Sequence, residues 1–125
     1  MTSNADQIRV VNDALAAKDF EAVGDLVDPE AVWEHNIGAG TPEEGVYHGR
    51  GEVLALFERI LEPWEYMRAI PQEIREVGPS TYEVRGELYA KHQTSAQEVV
   101  TPYEQRLEIS NGVLVKGRMV TGRAS

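Results

Sequence analysis

The chain holds 125 residues, a length that fits one compact folding unit. Its 12 basic and 21 acidic residues leave a formal net charge of −9, the wrong sign for a reader of the phosphate backbone, so no nucleic-acid partner is expected. Hydrophobic residues at 42% suffice for a buried core, and the absence of cysteine excludes disulfides, thiolate nucleophiles and cysteine-ligated metal sites.

Met1 to Asp6 carries no basic stretch ahead of an apolar run, so no secretory leader is expected. The longest apolar runs, such as Val53 to Phe57, fall far short of the roughly 18 residues that span a bilayer. The expectation is a soluble, cytoplasmic protein with no membrane partner.

Taken in chain order, Ser3 with Asp6 makes a weak capping box, after which Ile8, Val11 and Leu15 recur at helical spacing. Asn12, Asp13 and Lys18 fall to the other face of this first helix. Asp19 can cap a second, shorter helix whose Phe20, Val23, Leu26 and Val27 face inward until Asp28-Pro29 ends it. Ala31 to Ile37 then alternates as a strand, with Ala31, Trp33, His35 and Ile37 on one face. Gly38 to Gly49 reads as a glycine-rich loop. From Arg50, the spacing of Val53, Leu54, Phe57, Ile60 and Leu61 predicts a central third helix, stopped at Glu62-Pro63.

Period-two patterning dominates the remainder. Residues 81 to 93 place Tyr82, Val84, Gly86, Leu88, Ala90 and His92 on one face and Glu83, Arg85, Glu87, Tyr89, Lys91 and Gln93 on the other. Glu65 to Val77 is a strand weakened by Pro71, which favours an edge or a bulge. Val99 to Ile109 and Val113 to Thr121 flank Asn111-Gly112, a strong hairpin signal. The order αα, β, α and four strands implies an α+β fold with an antiparallel sheet, read as one domain over residues 1–125.

Asp19-Phe20-Glu21-Ala22-Val23, Asp28-Pro29-Glu30-Ala31-Val32-Trp33 and Gly45-Val46-Tyr47-His48-Gly49-Arg50-Gly51-Glu52-Val53, in this order, resemble the nuclear-transport-factor-2-like superfamily, and its SnoaL-like branch above all. The resemblance implies a cystatin-like cone: three helices against a strongly curved, mainly antiparallel sheet, with a small-molecule cavity at its mouth. It further implies cofactor-independent chemistry of the isomerase, cyclase or lyase type, and a homodimer. The general-base carboxylate of ketosteroid isomerases falls on His35. Their oxyanion-hole acid falls on Glu104 by ungapped counting, or on Gln105 if inward parity is matched. Their oxyanion tyrosine falls on Val11, so the full isomerase set is absent.

His35 and His92 both fall on inward faces, where an imidazole can exchange protons near neutral pH. The expectation is proton transfer next to a carbonyl, leading to isomerisation, aldol-type cyclisation or dehydration. His35 would be the base, and His92 or Glu104 would stabilise the oxyanion. Trp33, Tyr47, Tyr66 and Tyr103 supply apolar walls with polar tips for a hydrophobic, partly oxygenated ligand of polyketide, steroid or terpenoid kind. The spacing supports no metal site and no cofactor. Gly38 to Tyr47 reads as a lid whose Glu43 and Glu44 repel anions. The competing reading is a domain that binds a ligand or dimerises without catalysis. Tyr89, Val100 and Val120, on the outer face, are candidate dimer contacts.

Overall fold

The computed structural model describes residues 4–36 and 44–121. They run α1 (Asn4–Ala16), α2 (Phe20–Asp25), β1 (Val27–Asn36), β2 (Gly45–His48), α3 (Gly49–Leu61), β3 (Trp64–Gly78), β4 (Thr81–His92), β5 (Glu98–Ser110) and β6 (Val113–Thr121). The strands form one curved, open sheet in the order β2-β1-β6-β5-β4-β3. Apolar stripes fold the helices onto it: Ile8 from α1, Val23 from α2, and Val53, Leu56, Phe57 and Leu61 from α3 are buried against strand residues such as Ala31, Val84 and Leu107. Each such side chain contributes roughly 1.5–3 kcal/mol by leaving water.

Local chemistry sets the element ends. Asp19 caps α2, its carboxylate accepting from the Ala22 N–H at 3.2 Å. That helix stops at Asp25, earlier than the expected Asp28-Pro29, because Val27 pairs with Leu114 of β6 and opens β1. The Leu114 N–H donates to the Leu26 carbonyl at 2.8 Å. Pro29 falls where the β1/β6 register shifts, so its missing N–H removes no regular ladder bond. Pro71 lies on the edge strand β3, beside a register shift between Pro71 and Glu73. Asn111 and Gly112, both with positive φ (54° and 78°), form the expected tight turn between β5 and β6.

Two features differ from the sequence pattern. Gly45–His48 is not loop but the short edge strand β2, antiparallel to β1 with Tyr47 opposite Trp33. The sheet is also mixed, because β1 lies parallel to β6 while every other pair is antiparallel. Ser3, Ile37 and the Gly38 to Glu43 part of the expected lid lie outside the described residues.

The outer face carries a charged row in register across five strands: Glu34, Arg118, Arg106, Glu83 and Arg75. Within it Arg118 meets Glu34 at 3.5 Å and Arg75 meets Glu83 at 2.8 Å. Farther along the same face Tyr89 and Val100 sit opposite each other, 39% and 52% exposed, while Val120 is half-buried. Among the described residues no helix is long and apolar enough to cross a membrane.

Candidate functional site

Strand register builds the site. On the concave face His35 (β1), Met119 (β6), Gln105 (β5) and Val84 (β4) form one row. Trp33, Gly117, Leu107 and Tyr82 form the next. Above these rows lies a cavity of about 330 Å³, at the lower end of the usual range for small-molecule sites. Its ceiling is Asn12 and Leu15 of α1 with Phe57, Ile60 and Leu61 of α3. Trp64 and Met67 of β3, Leu88 and Ala90 of β4, and Val99 and Thr101 of β5 extend the wall. Among the described residues no Asp, Glu, Lys or Arg lines it.

Trp33 occupies the floor only because residue 117 is glycine. A Cβ there would collide with Cζ3 and Cε3 of the indole. The ring packs edge-on to Phe57, with centroids 5.2 Å apart and planes at 85°. Its Nε1–H donates to Nδ1 of His35 at 3.1 Å. An indole nitrogen can only donate, so His35 Nδ1 must be the lone-pair nitrogen and the ring proton resides on Nε2.

Burial reinforces this state. His35 is 3% exposed, and loss of solvent lowers its pKa from 6.5 to about 4, so the imidazole is neutral at pH 7. Its Nε2 is buried without a hydrogen-bond partner among the described residues.

Two further polar atoms at the same cavity share that condition, Gln105 Oε1 and Asn12 Nδ2. The Gln105 amide is oriented by Nε2, which reaches the Met119 sulfur at 3.8 Å. The site thus combines apolar walls and the threonines Thr101 and Thr121 with three neutral polar groups whose buried atoms lack a partner among the described residues: a donor from His35, an acceptor from Gln105 and a donor from Asn12.

Of the residues singled out in the sequence, the structure brings Trp33, His35 and Gln105 to this cavity. Glu104 points the other way, because strand alternation puts it on the outer face opposite Arg85 and Val120. Pro102 causes no slip in the β4/β5 register that would turn Glu104 inward. His92 is the cross-strand partner of Trp64, their ring centroids 5.3 Å apart and planes at 82°, and it does not line the cavity. The His92 Nδ1 is engaged by its own turn, 2.9 Å from Thr94 Oγ1 and 3.3 Å from the Thr94 N–H.

Tyr47 packs against the core from the edge strand with the Arg59 guanidinium 5.7 Å from its ring centre. Tyr66 turns to the surface, where its hydroxyl donates to Glu98 at 3.0 Å and is pushed up in pKa by that carboxylate. Tyr103 is 1% exposed within the core, where burial pushes its pKa up to about 12. Its hydroxyl has no partner among the described residues, and it does not line the cavity.

Sequence reasoning missed Asn12, which it assigned to the wet face of α1. Asn12 follows Ile8 by four and precedes Leu15 by three, so helical geometry puts all three on one face. That spacing was the available signal. Among the described residues no group of three His, Asp or Glu is placed to hold a metal ion.

The SnoaL-like domain model matches residues 8–117. None of the curated proteins compared with the sequence matches it. Among solved structures, IdmH of Streptomyces antibioticus, thought to be a polyketide cyclase, superposes with a TM-score of 0.82 at 18% identity, over 96% of this chain and 92% of that one. An NTF2-like protein of unknown function from Burkholderia pseudomallei gives 0.79 at 22% identity, over 95% and 90%. TerC, crystallised with polyporic acid, gives 0.78 at 17% identity, over 93% and 88%. At these identities the structures speak for the fold, whereas the domain match spans most of the sequence: the chain belongs to the SnoaL-like family of the NTF2-like superfamily.

Proposed function

We propose that the protein binds a neutral, largely apolar small molecule bearing a carbonyl group and promotes isomerisation or aldol-type ring closure beside it. The observation that carries this reading is the buried, unpartnered Nε2 of His35 at the wall of an apolar cavity. Trp33 keeps the proton on that nitrogen. The ring therefore offers an N–H to a carbonyl oxygen, a role that replaces the base expected from the sequence.

A ketone accepting this bond gains a more electrophilic carbonyl carbon and a more acidic neighbouring C–H. The negative charge that grows on its oxygen is stabilised in an apolar site, where a fixed donor acts more strongly than it does in bulk water. In ring closure an enol carbon of the same molecule attacks the polarised carbonyl carbon. One C–C bond forms, the C=O π bond becomes an alkoxide, and the enol O–H proton ends on that alkoxide. Ring closure consumes no external base, which suits a wall lacking carboxylates and amines among the described residues; in isomerisation a water molecule takes the α-proton and returns it at the new carbon while His35 holds the enolate oxygen. Membership of the SnoaL-like family and the fold shared with IdmH and TerC, the latter crystallised with polyporic acid, support a small-molecule cyclase or isomerase.

The test is α-proton exchange of 2-tetralone in D2O, followed by NMR with and without protein. Wild type should accelerate exchange, and His35→Phe should lose about 10²-fold or more of that acceleration while still binding. His35→Gln should retain part of it, since an amide can donate but not act as a base. A cavity wall whose described residues include no charged base favours a second reading, a domain that holds its ligand without turnover. Saturable binding with no accelerated exchange would decide for it.

A further inference from the structure

Gln105 and His35 present opposite polarity to one ligand. They flank Met119 in the same cross-strand row, with Cα atoms about 10 Å apart from two strand spacings. Gln105 directs its amide nitrogen toward the Met119 sulfur, a weak acceptor, and leaves Oε1 buried with no donor. A buried acceptor without a donor is unfavourable, and binding a ligand O–H or N–H there removes that penalty. His35 Nε2 has the converse need, because it carries a proton with no acceptor.

A hydrocarbon would satisfy neither group. A plain ketone or ether would satisfy His35 and leave Gln105 unpaired, and sites built to hydrogen-bond a ligand hydroxyl discriminate strongly against analogues that lack it.

We infer that Gln105 is a specificity-determining residue that selects ligands carrying a hydroxyl or enol O–H in addition to the carbonyl held by His35. This rests on the reading of the cavity as a small-molecule site and narrows it from carbonyl compounds in general to hydroxylated or enolised ones. It also gives the enol of a ring-closing substrate a place to be held: Gln105 Oε1 accepts from the enol O–H while the acceptor carbonyl lies on His35. Asn12 Nδ2, the third unpartnered group, supplies a further donor on the helix side of the cavity.

The experiment measures dissociation constants by calorimetry for 1-tetralone, its 5-, 6- and 7-hydroxy derivatives and the matching methoxy compounds. Wild type and Gln105→Leu are compared. At least one hydroxy isomer should bind wild type about tenfold or more tightly than both 1-tetralone and its own methoxy ether. Gln105→Leu should abolish that preference while leaving 1-tetralone binding unchanged or tighter. Measurable but equal binding of hydroxy compound and ketone would overturn the role of Gln105 and leave the cavity reading standing. A preference for the methoxy ether would show that Gln105 donates instead, and would overturn it too. If no compound binds, both readings fall. Should Gln105→Leu not fold, the wild-type series decides alone.

Discussion

Acidification should destabilise this protein more than its carboxylates alone can explain. His35 is 3% exposed, and its native pKa lies at about 4 against 6.5 for a free histidine. Between those values the unfolded chain binds a proton that the native state refuses, so stability is fully present above pH 6.5 and falls as the pH drops toward 4. The difference, 6.5 − 4 = 2.5 units at roughly 1.36 kcal/mol each, amounts to about 3 kcal/mol. That is a large share of the roughly 5–15 kcal/mol holding a typical domain together. Urea unfolding at pH 7, 6, 5 and 4 should be compared for wild type and His35→Gln, whose amide does not titrate. Other groups act equally in both proteins, among them Glu83, whose carboxyl Arg75 holds low. The variant should therefore lose about 3 kcal/mol less across the window. Parallel pH curves for the two proteins would refute the buried neutral imidazole.

Gly117→Ala should destabilise by about 1–3 kcal/mol and change the tryptophan fluorescence, since the new methyl displaces the Trp33 indole and pulls Nε1 from His35. An unchanged urea midpoint would mean that Trp33 does not lie over residue 117. Tyr103→Phe should be neutral or stabilising by up to about 1 kcal/mol, because the hydroxyl it removes is buried without a partner. A loss of stability would point to a hydrogen bond at that hydroxyl. For assembly we expect a homodimer through the outer face at Tyr89 and Val100, measured by light scattering at micromolar concentration, with Val100→Glu shifting it toward monomer. A wild-type monomer would count against it.

The parts of this fold legible in the sequence were those where one residue type forces one geometry. Asn111-Gly112 marked its hairpin because both positions adopt positive φ. Ala31, Trp33 and His35 marked the inner face of β1 because period two survives wherever one face is buried, and all three are buried. The same pattern was silent on the parallel β1/β6 pair, since alternation is identical in parallel and antiparallel strands. β2 was hidden because four residues in glycine-rich chain carry too little pattern to register.

At the site, parity favoured Gln105 over Glu104 and the register agrees, whereas Tyr66, expected in the ligand wall, turns to the surface. A strand turns only alternate side chains inward, and here it is Met67 that lines the cavity. The pairing of Trp33 Nε1 with His35 Nδ1 lay beyond the sequence, which places the two rings on one face without saying which atoms meet.

Whether His35 is a neutral donor held in one tautomer by Trp33 can be read from long-range ¹H–¹⁵N correlation NMR of the histidine side chains. At pH 7 His35 should show a protonated, pyrrole-type Nε2 and a pyridine-type Nδ1, unchanged until the pH approaches about 4. The reverse assignment, or a ring that titrates near 6.5, would contradict that state.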